Sequence, residues 1–331
     1  VTVLLLTRSD DHYVPDIVAA AVQKQGGGDV VRVNTDDYPD AISSGDDGRD
    51  PFLRVDGRTF FRSALRGVWC RRVWAGSRVH CDPDFRPWAL AQAVTAFGSV
   101  VRAMGPIVVN DPDAEDRAED KALQLRLARD LGFRVPQTLI SNDVDAVSAF
   151  VDDAASAGRQ VITKLLRPLS QTMGGDGPFM FSRTLRPEDL RHLAEVRVAP
   201  QIFQHRINKR LDIRVQVMGD VVVAGATACV GDDWRRDSDG RFVAWPISES
   251  LAQRCRALCR QLGLMTGAID LVVDDDTDDD TDDDADGDAD GDAGVHFLEI
   301  NPSGEWGMLE RDLQAGLPDA LAHLLLGAPR G

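Results

Sequence analysis

The feature that most limits the fold is an aspartate tract lying between two strand-like runs, GAIDLVV and VHFLEI. Between Asp274 and Asp292 stand 13 aspartates, and no packed core holds like charge at that density. The tract therefore reads as a long solvated loop (274–292), and the runs that it joins become candidates for neighbouring antiparallel strands. Its DADGDADGD repeat has the flavour of a calcium loop, but the two flanking helices and the terminal acidic ligand of an EF-hand are missing. Setting the tract aside also changes the charge. The net −17 falls to 41 acids against 37 bases elsewhere, with no basic stripe for nucleic acid, which is not expected as a partner.

The rest of the chain divides into three lobes of an α/β protein with α+β character. Residues 1–109 alternate strand and helix signals: strand Val3 to Leu6, helix Val14 to Gln25, strand Val30 to Val33, a hairpin about Asp56-Gly57, the strand GVWCRRVW, helix Asp84 to Met104, and strand Ile107 to Val109. Residues 110–200 give a helix from Asp113 to Leu131, with Leu123, Leu127 and Leu131 on one stripe and Gly132 as its stop. Strand VPQTLIS, helix Asp143 to Ala157, strand Val161 to Leu166 and a glycine-rich loop complete that lobe. Residues 201–331 combine the strand signals PQIFQHRI, LDIRVQVMGD and VVVAGATACV into one antiparallel sheet, then helix Glu249 to Leu262 and the two strands around the acidic loop.

No apolar run approaches the roughly 20 residues needed to span a bilayer. VTVLLLT lacks the basic start and cleavage site of a signal peptide, so no membrane partner and a cytoplasmic location are expected. The five scattered cysteines read as free thiols, because Cys255 and Cys259 have no second pair to complete a zinc site.

Chemistry concentrates in the runs around the acidic loop. Glu299 and Asn301 lie two apart on one strand and so face the same side, and pairing with GAIDLVV would bring Asp270 to them. Two carboxylates and an amide oxygen are hard ligands suited to Mg²⁺; surface charges on a half-exposed sheet are the alternative. Lys164 sits within the apolar strand VITKLL, where a charge is costly unless an anion such as phosphate meets it or the side chain snorkels at a sheet edge. Lys121 opens a helix behind a run of acids. Gly174 and Gly175, in MGGDG, would let backbone N–H groups approach phosphates. Arg206, Arg214 and Arg235 fall in an arginine-dense stretch, and guanidinium forks suit phosphate or carboxylate. A dinucleotide oxidoreductase is disfavoured, since the first strand leads into RSDDHYVPD and not a glycine-rich phosphate turn.

In this order the motifs resemble the ATP-grasp superfamily over residues 110–331. The resemblance implies ATP and Mg²⁺. Lys121 in EDKALQLRLARDLGFRVPQT and Lys164 would be the nucleotide lysines, and Gly174 and Gly175 part of a closing loop. Gln204, His205 and Asp212 would lie near the nucleotide, Arg214 near its phosphates, and Asp270, Glu299 and Asn301 would hold the metal. His205 stands where the family commonly has glutamate.

The stretches LLLTRSDDHYVPDIV, VWCRR, DWRR and EINPSGEWGMLE extend the likeness to the microviridin or graspetide synthetases, plesiocin-type enzymes among them. That resemblance implies an N-terminal pre-ATP-grasp lobe and an ATP-dependent macrocyclase. Such an enzyme joins Asp or Glu side chains to Thr or Ser hydroxyls, or Lys amines, of a ribosomal precursor peptide. It implies leader docking on the 110–200 lobe, a homodimer, and catalytic roles for Arg214, Arg235, Arg206 and His205, the last as a base. A ligase adding free amino acids and an inactive peptide-binding module remain alternatives.

Overall fold

A computed structural model describes residues 1–167, 182–228, 231–232, 240–275, 292 and 294–327. Gly174, Gly175, Arg235, the DWRR segment and most of the acidic tract lie outside these residues.

The N-terminal lobe is built on a parallel sheet of order β2-β1-β6-β7, from β1 (Thr2–Thr7), β2 (Asp29–Asn34), β6 (Leu65–Cys70) and β7 (Val108–Val109). Val3 to Leu6 are buried because parallel strands are covered on both faces. Helix α1 (Tyr13–Lys24) packs on one face and α2 (Arg86–Ala103) on the other. An antiparallel sheet, β3 (Ile42–Gly45), β4 (Phe52–Val55) and β5 (Arg58–Phe61), is appended. Its last turn is the expected hairpin, with Asp56 and Gly57 at φ of 49° and 74°. Two successive positive φ values are what a two-residue hairpin turn requires.

Beyond it, the single helix expected from Asp113 to Leu131 is two: α3 (Pro112–Ala118) and α4 (Lys121–Asp130). Asp120 divides them. Its carboxylate accepts from the Leu123 N–H at 2.9 Å, and such an N-cap competes with helix continuation. The buried face of α4 also differs from the leucine stripe: Gln124, Leu125 and Ala128 are buried, while Leu123, Leu127 and Leu131 pack against the core at its margin.

Strands β8 (Thr138–Ser141), β9 (Val161–Lys164), β10 (Arg183–Thr184) and β11 (Gln201–His205) form an antiparallel sheet of order β10-β9-β11-β8. Helix α5 (Val144–Ser156) covers it, capped by Asp143. Gln201 to His205 thus pairs with β8 and β9, not with the strands that follow it, as the sequence had suggested. The run Gln201–His205 ends before Lys209, and this break allows the chain to change sheets.

A five-stranded antiparallel sheet of order β14-β13-β12-β15-β16 closes the fold, from β12 (Lys209–Met218), β13 (Val221–Ala228), β14 (Val243–Ala244), β15 (Thr266–Asp274) and β16 (Val295–Asn301). The strands flanking the aspartate tract do pair. Ile213, Val215, Val217, Ile269, Leu271 and Val273 share a core with α6 (Glu249–Leu262), whose Leu251, Cys255, Leu258 and Leu262 recur at helical spacing. After α7 (Gly307–Leu313), α8 (Leu317–Leu326) returns to the first lobe, where Leu321 and Leu325 pack with Val3, Leu5 and Val18.

Candidate active site

Alternation along β12 sends one set of side chains into the core and leaves Asp212, Arg214 and Gln216 on the opposite face. Across the ladder Arg214 stands opposite Asp270, and Asp270 opposite Glu299. A register irregularity after Asp270 matters here. Phe297 and Ile300 both enter the core although they are three residues apart, which leaves Glu299 and Asn301 with Asp270. Simple two-residue alternation along the whole of β16 does not anticipate this.

The charges are close. Arg214 Nη1 donates to Asp270 Oδ1 at 2.6 Å, and Lys121 Nζ lies 3.0 Å from Glu299 Oε2. Asn301 Nδ2 donates to Asp270 Oδ2 at 3.1 Å and to Glu299 Oε1 at 3.2 Å, so one amide bridges the two carboxylates. On the facing sheet, Lys164 Nζ donates to Gln204 Oε1 at 2.9 Å, and Gln204 Nε2 donates to Thr138 Oγ1 at 2.9 Å. The two lysines differ electrostatically. Burial opposes the charge of Lys121, but Glu299 and Glu119 outweigh it and raise its pKa. Burial also opposes the charge of Lys164, Lys121 adds repulsion, and its pKa is lowered despite Glu299 and Asp270.

Two further side chains, Gln124 and Asn110, position this cluster and escaped the sequence reading. Gln124 clamps the strand between Glu299 and Asn301: its Nε2 donates to Ile300 O at 2.8 Å and its Oε1 accepts from Ile300 N at 3.1 Å. A glutamine on the apolar side of α4 was the available signal. Asn110 Nδ2 donates to Pro302 O at 3.1 Å and to Thr266 O at 2.9 Å, tying the loop after β16 to the start of β15. Arg214 Nη2 donates to the backbone oxygen of Glu305 at 3.1 Å. That approach needs Gly304, where a Cβ would stand 2.6 Å from Arg214 Nη2.

The other expected residues are placed differently. Asp212 is buried, 2.8 Å from Lys209 Nζ. Arg206 Nε donates to Asp232 Oδ1 at 2.9 Å, and Asp232 also accepts from Thr184 Oγ1, so this arginine is fixed between β10 and β11. His205 is not brought to the cluster. Residues 204 and 205 point to opposite faces of β11, and the His205 ring packs on Phe150 of α5 at 4.9 Å between centroids. Burial holds its pKa below the usual histidine value. Gly174, Gly175 and Arg235 lie outside the described residues.

Two carboxylates with an amide between them form a small oxygen-rich set suited to a hard divalent cation once Asn301 turns its amide oxygen inward. No group of three or more His, Cys, Asp or Glu side chains poised for a metal occurs among the described residues. The buried Arg214 Nε has no hydrogen-bond partner among them.

Residues 2–116 match the family described as the MvdD pre-ATP grasp domain. No protein of curated function matches the chain. Among solved structures, macrocyclase MdnB from Microcystis aeruginosa MRC is 28% identical, with 98% of this chain and 99% of that one covered at a TM-score of 0.79. A RiPP-associated ATP-grasp ligase from Chryseobacterium gregarium, in complex with ADP and a leader and core peptide, is 22% identical over 99% of this chain and 98% of its own, at 0.82. ATP-grasp ligase PsnB, complexed with a precursor variant, Mg and ADP, is 23% identical over 99% and 98%, at 0.71. The fold is that of the ATP-grasp ligases, preceded by a pre-ATP-grasp lobe.

Proposed function

We propose that this chain, which has the ATP-grasp fold, is a ligase that uses ATP to close side-chain ester or amide crosslinks in a ribosomal precursor peptide. One observation carries the reading: Lys121, Arg214, Asp270, Glu299 and Asn301 meet in one cluster, with Lys164 on the facing sheet close enough to feel its charges. MdnB, a macrocyclase covered almost end to end, supports ring-closing crosslinking in particular.

ATP and Mg²⁺ belong to this proposal, in line with the ligands of the similar ligases. Asp270, Glu299 and Asn301 would hold the metal, whose chemistry is to screen phosphate oxygens from an approaching carboxylate. Lys164, Lys121 and Arg214 would hold the triphosphate, with Gln204 orienting Lys164. The substrate carboxylate attacks the γ-phosphorus, giving an acyl phosphate and ADP. A hydroxyl or amine of the same peptide then attacks the acyl carbon, and phosphate leaves, its oxygens taking up the nucleophile's proton. Arg214 would steady the negative oxygens in both steps, while Arg206 is held by Asp232. His205 has no part in this proposal, because its ring packs against α5.

No helix among the described residues is long and apolar enough to cross a membrane, and a cytoplasmic location is proposed for a reaction that consumes ATP. A homodimer is proposed as well, with the open face of α2, where Trp88 is 67% exposed, as the first surface to test by light scattering on Trp88→Glu.

The test is intact-mass analysis of a candidate precursor peptide after incubation with enzyme, ATP and Mg²⁺. The proposal expects loss of one water per crosslink, abolished by Glu299→Gln. A mass gain matching added free amino acids would replace it with an amino-acid-adding ligase.

A further inference from the structure

In the N-terminal sheet, β1 leads through α1 to β2 on one side, and the chain later returns to β6 on the other. Strand order therefore reverses between β1 and β6. Parallel sheets leave a crevice beyond the carboxyl ends of their strands at such a point, and ligands bind there. A cavity of about 370 Å³ lies at this place. Asp11, following β1, and Arg71 and Arg72, following β6, form one wall; Glu305, Met308 and Arg311 form the other.

The lining holds three arginines and two carboxylates, in a chain of net charge −17. Both carboxylates are already committed. The buried Arg71 donates from Nε to Asp11 Oδ2 at 2.7 Å and from Nη2 to Glu305 Oε2 at 2.6 Å. Thr7 also donates to Asp11, and Glu305 Oε1 accepts from the Gly307 N–H at 2.7 Å. Arg72 is in a different condition. Among the described residues its guanidinium makes one hydrogen bond, Nη2 to Glu305 Oε2 at 3.0 Å, and its side chain is 35% exposed at the cavity. Of the five N–H donors of a guanidinium, most are thus left for a ligand.

Glu305 joins this crevice to the reaction site. Its side chain anchors Arg71 and Arg72, while its backbone oxygen receives Arg214. One residue thus holds Arg72 and Arg214 at the same time.

We propose that the crevice is a carboxylate subsite, where Arg72 receives an acidic side chain of the peptide substrate next to the one being activated at Arg214. The planar guanidinium fork matches a carboxylate, and the volume admits a peptide segment and not merely one ion. The assignment rests on the ligase reading given above. Free phosphate offers the same oxyanion chemistry, so the test must separate the two.

The probes are a labelled synthetic peptide of alternating Thr and Glu and its Thr/Gln counterpart. Their binding is followed by fluorescence anisotropy, without nucleotide, to wild type, Arg72→Gln and Arg72→Lys. Wild type should prefer the Glu peptide. Arg72→Gln should weaken the Glu peptide about tenfold and leave the Gln peptide unchanged, with partial recovery in Arg72→Lys. Equal loss for both peptides would overturn the proposal, leaving Arg72 a structural residue. No preference for the Glu peptide, with displacement of neither by inorganic phosphate, would overturn it too; protection of Arg72 by phosphate alone would assign the crevice to phosphate instead. Because binding is read without turnover, failure to crosslink would count against the ligase reading and not against this subsite.

Discussion

In the five-stranded sheet Arg214 stands opposite Asp270, Lys121 reaches Glu299, and Asn301 bridges the two carboxylates. In the four-stranded sheet Lys164 donates to the neutral amide of Gln204 and has no carboxylate at ion-pair distance among the described residues. The first sheet completes its electrostatics when it folds. The second holds a cation whose pKa is lowered because burial, with repulsion from Lys121, outweighs the more distant Glu299 and Asp270. Charges of the first kind support structure and chemistry together, whereas the second kind serves a ligand at the expense of stability.

Substitutions should separate the two sheets. The largest effect is expected for Glu299→Gln, which removes the charge of a proposed metal ligand while keeping its shape. Crosslinking should fall about a thousandfold, measured by rate of mass loss, with the fold retained. Asp270→Ala comes next, on stability. It strands the buried Arg214 guanidinium, and denaturant unfolding should report a loss of about 3 kcal/mol. Lys164→Met should do the reverse: nucleotide affinity falls about tenfold by calorimetry, and stability holds or rises because a buried charge is removed. The pH profile sharpens this. With the folded pKa of Lys164 depressed, its charge is lost as pH rises through that value. Nucleotide affinity of the wild type should therefore decline there, while Lys164→Met should show no such decline.

The smallest effect concerns Glu115, outside both sheets. Burial, with Glu119 and Asp116 nearby, raises its pKa from 4.5 to about 7 against the hydrogen bond from Ser303. The sign follows from the raised value: the stabilisation is present below 4.5 and is lost as pH rises through about 7. Glu115→Gln should flatten that decline and gain about 1 kcal/mol above neutrality, allowing for partial exposure, in melting curves taken across the window.

Much of this comparison was legible in the sequence, and the reasons are local. An aspartate tract cannot pack, so the strands on either side had to be neighbours, and Asp270 met Glu299 as that required. Lys164 stood out because a lysine within VITKLL violates apolar patterning. What escaped reading depended on geometry that spacing does not encode. The register irregularity in β16 sets which face Glu299 takes, and the Asp120 cap divides α3 from α4 and aims Lys121. His205 followed Gln204 in sequence, but strand alternation put it against Phe150. Gln124 and Asn110 act through backbone atoms distant in sequence, and only the fold brings those atoms near.

In the proposed reaction a substrate carboxylate is activated by phosphoryl transfer before the crosslink forms. Labelling the peptide's side-chain carboxylates with heavy oxygen and analysing the released inorganic phosphate by mass spectrometry tests it directly. Attack of the carboxylate on the γ-phosphorus carries one labelled oxygen into phosphate for every crosslink closed, and this is the predicted result. Crosslinked peptide retaining all of its label, with unlabelled phosphate, would rule out carboxylate activation and indicate activation of the hydroxyl instead.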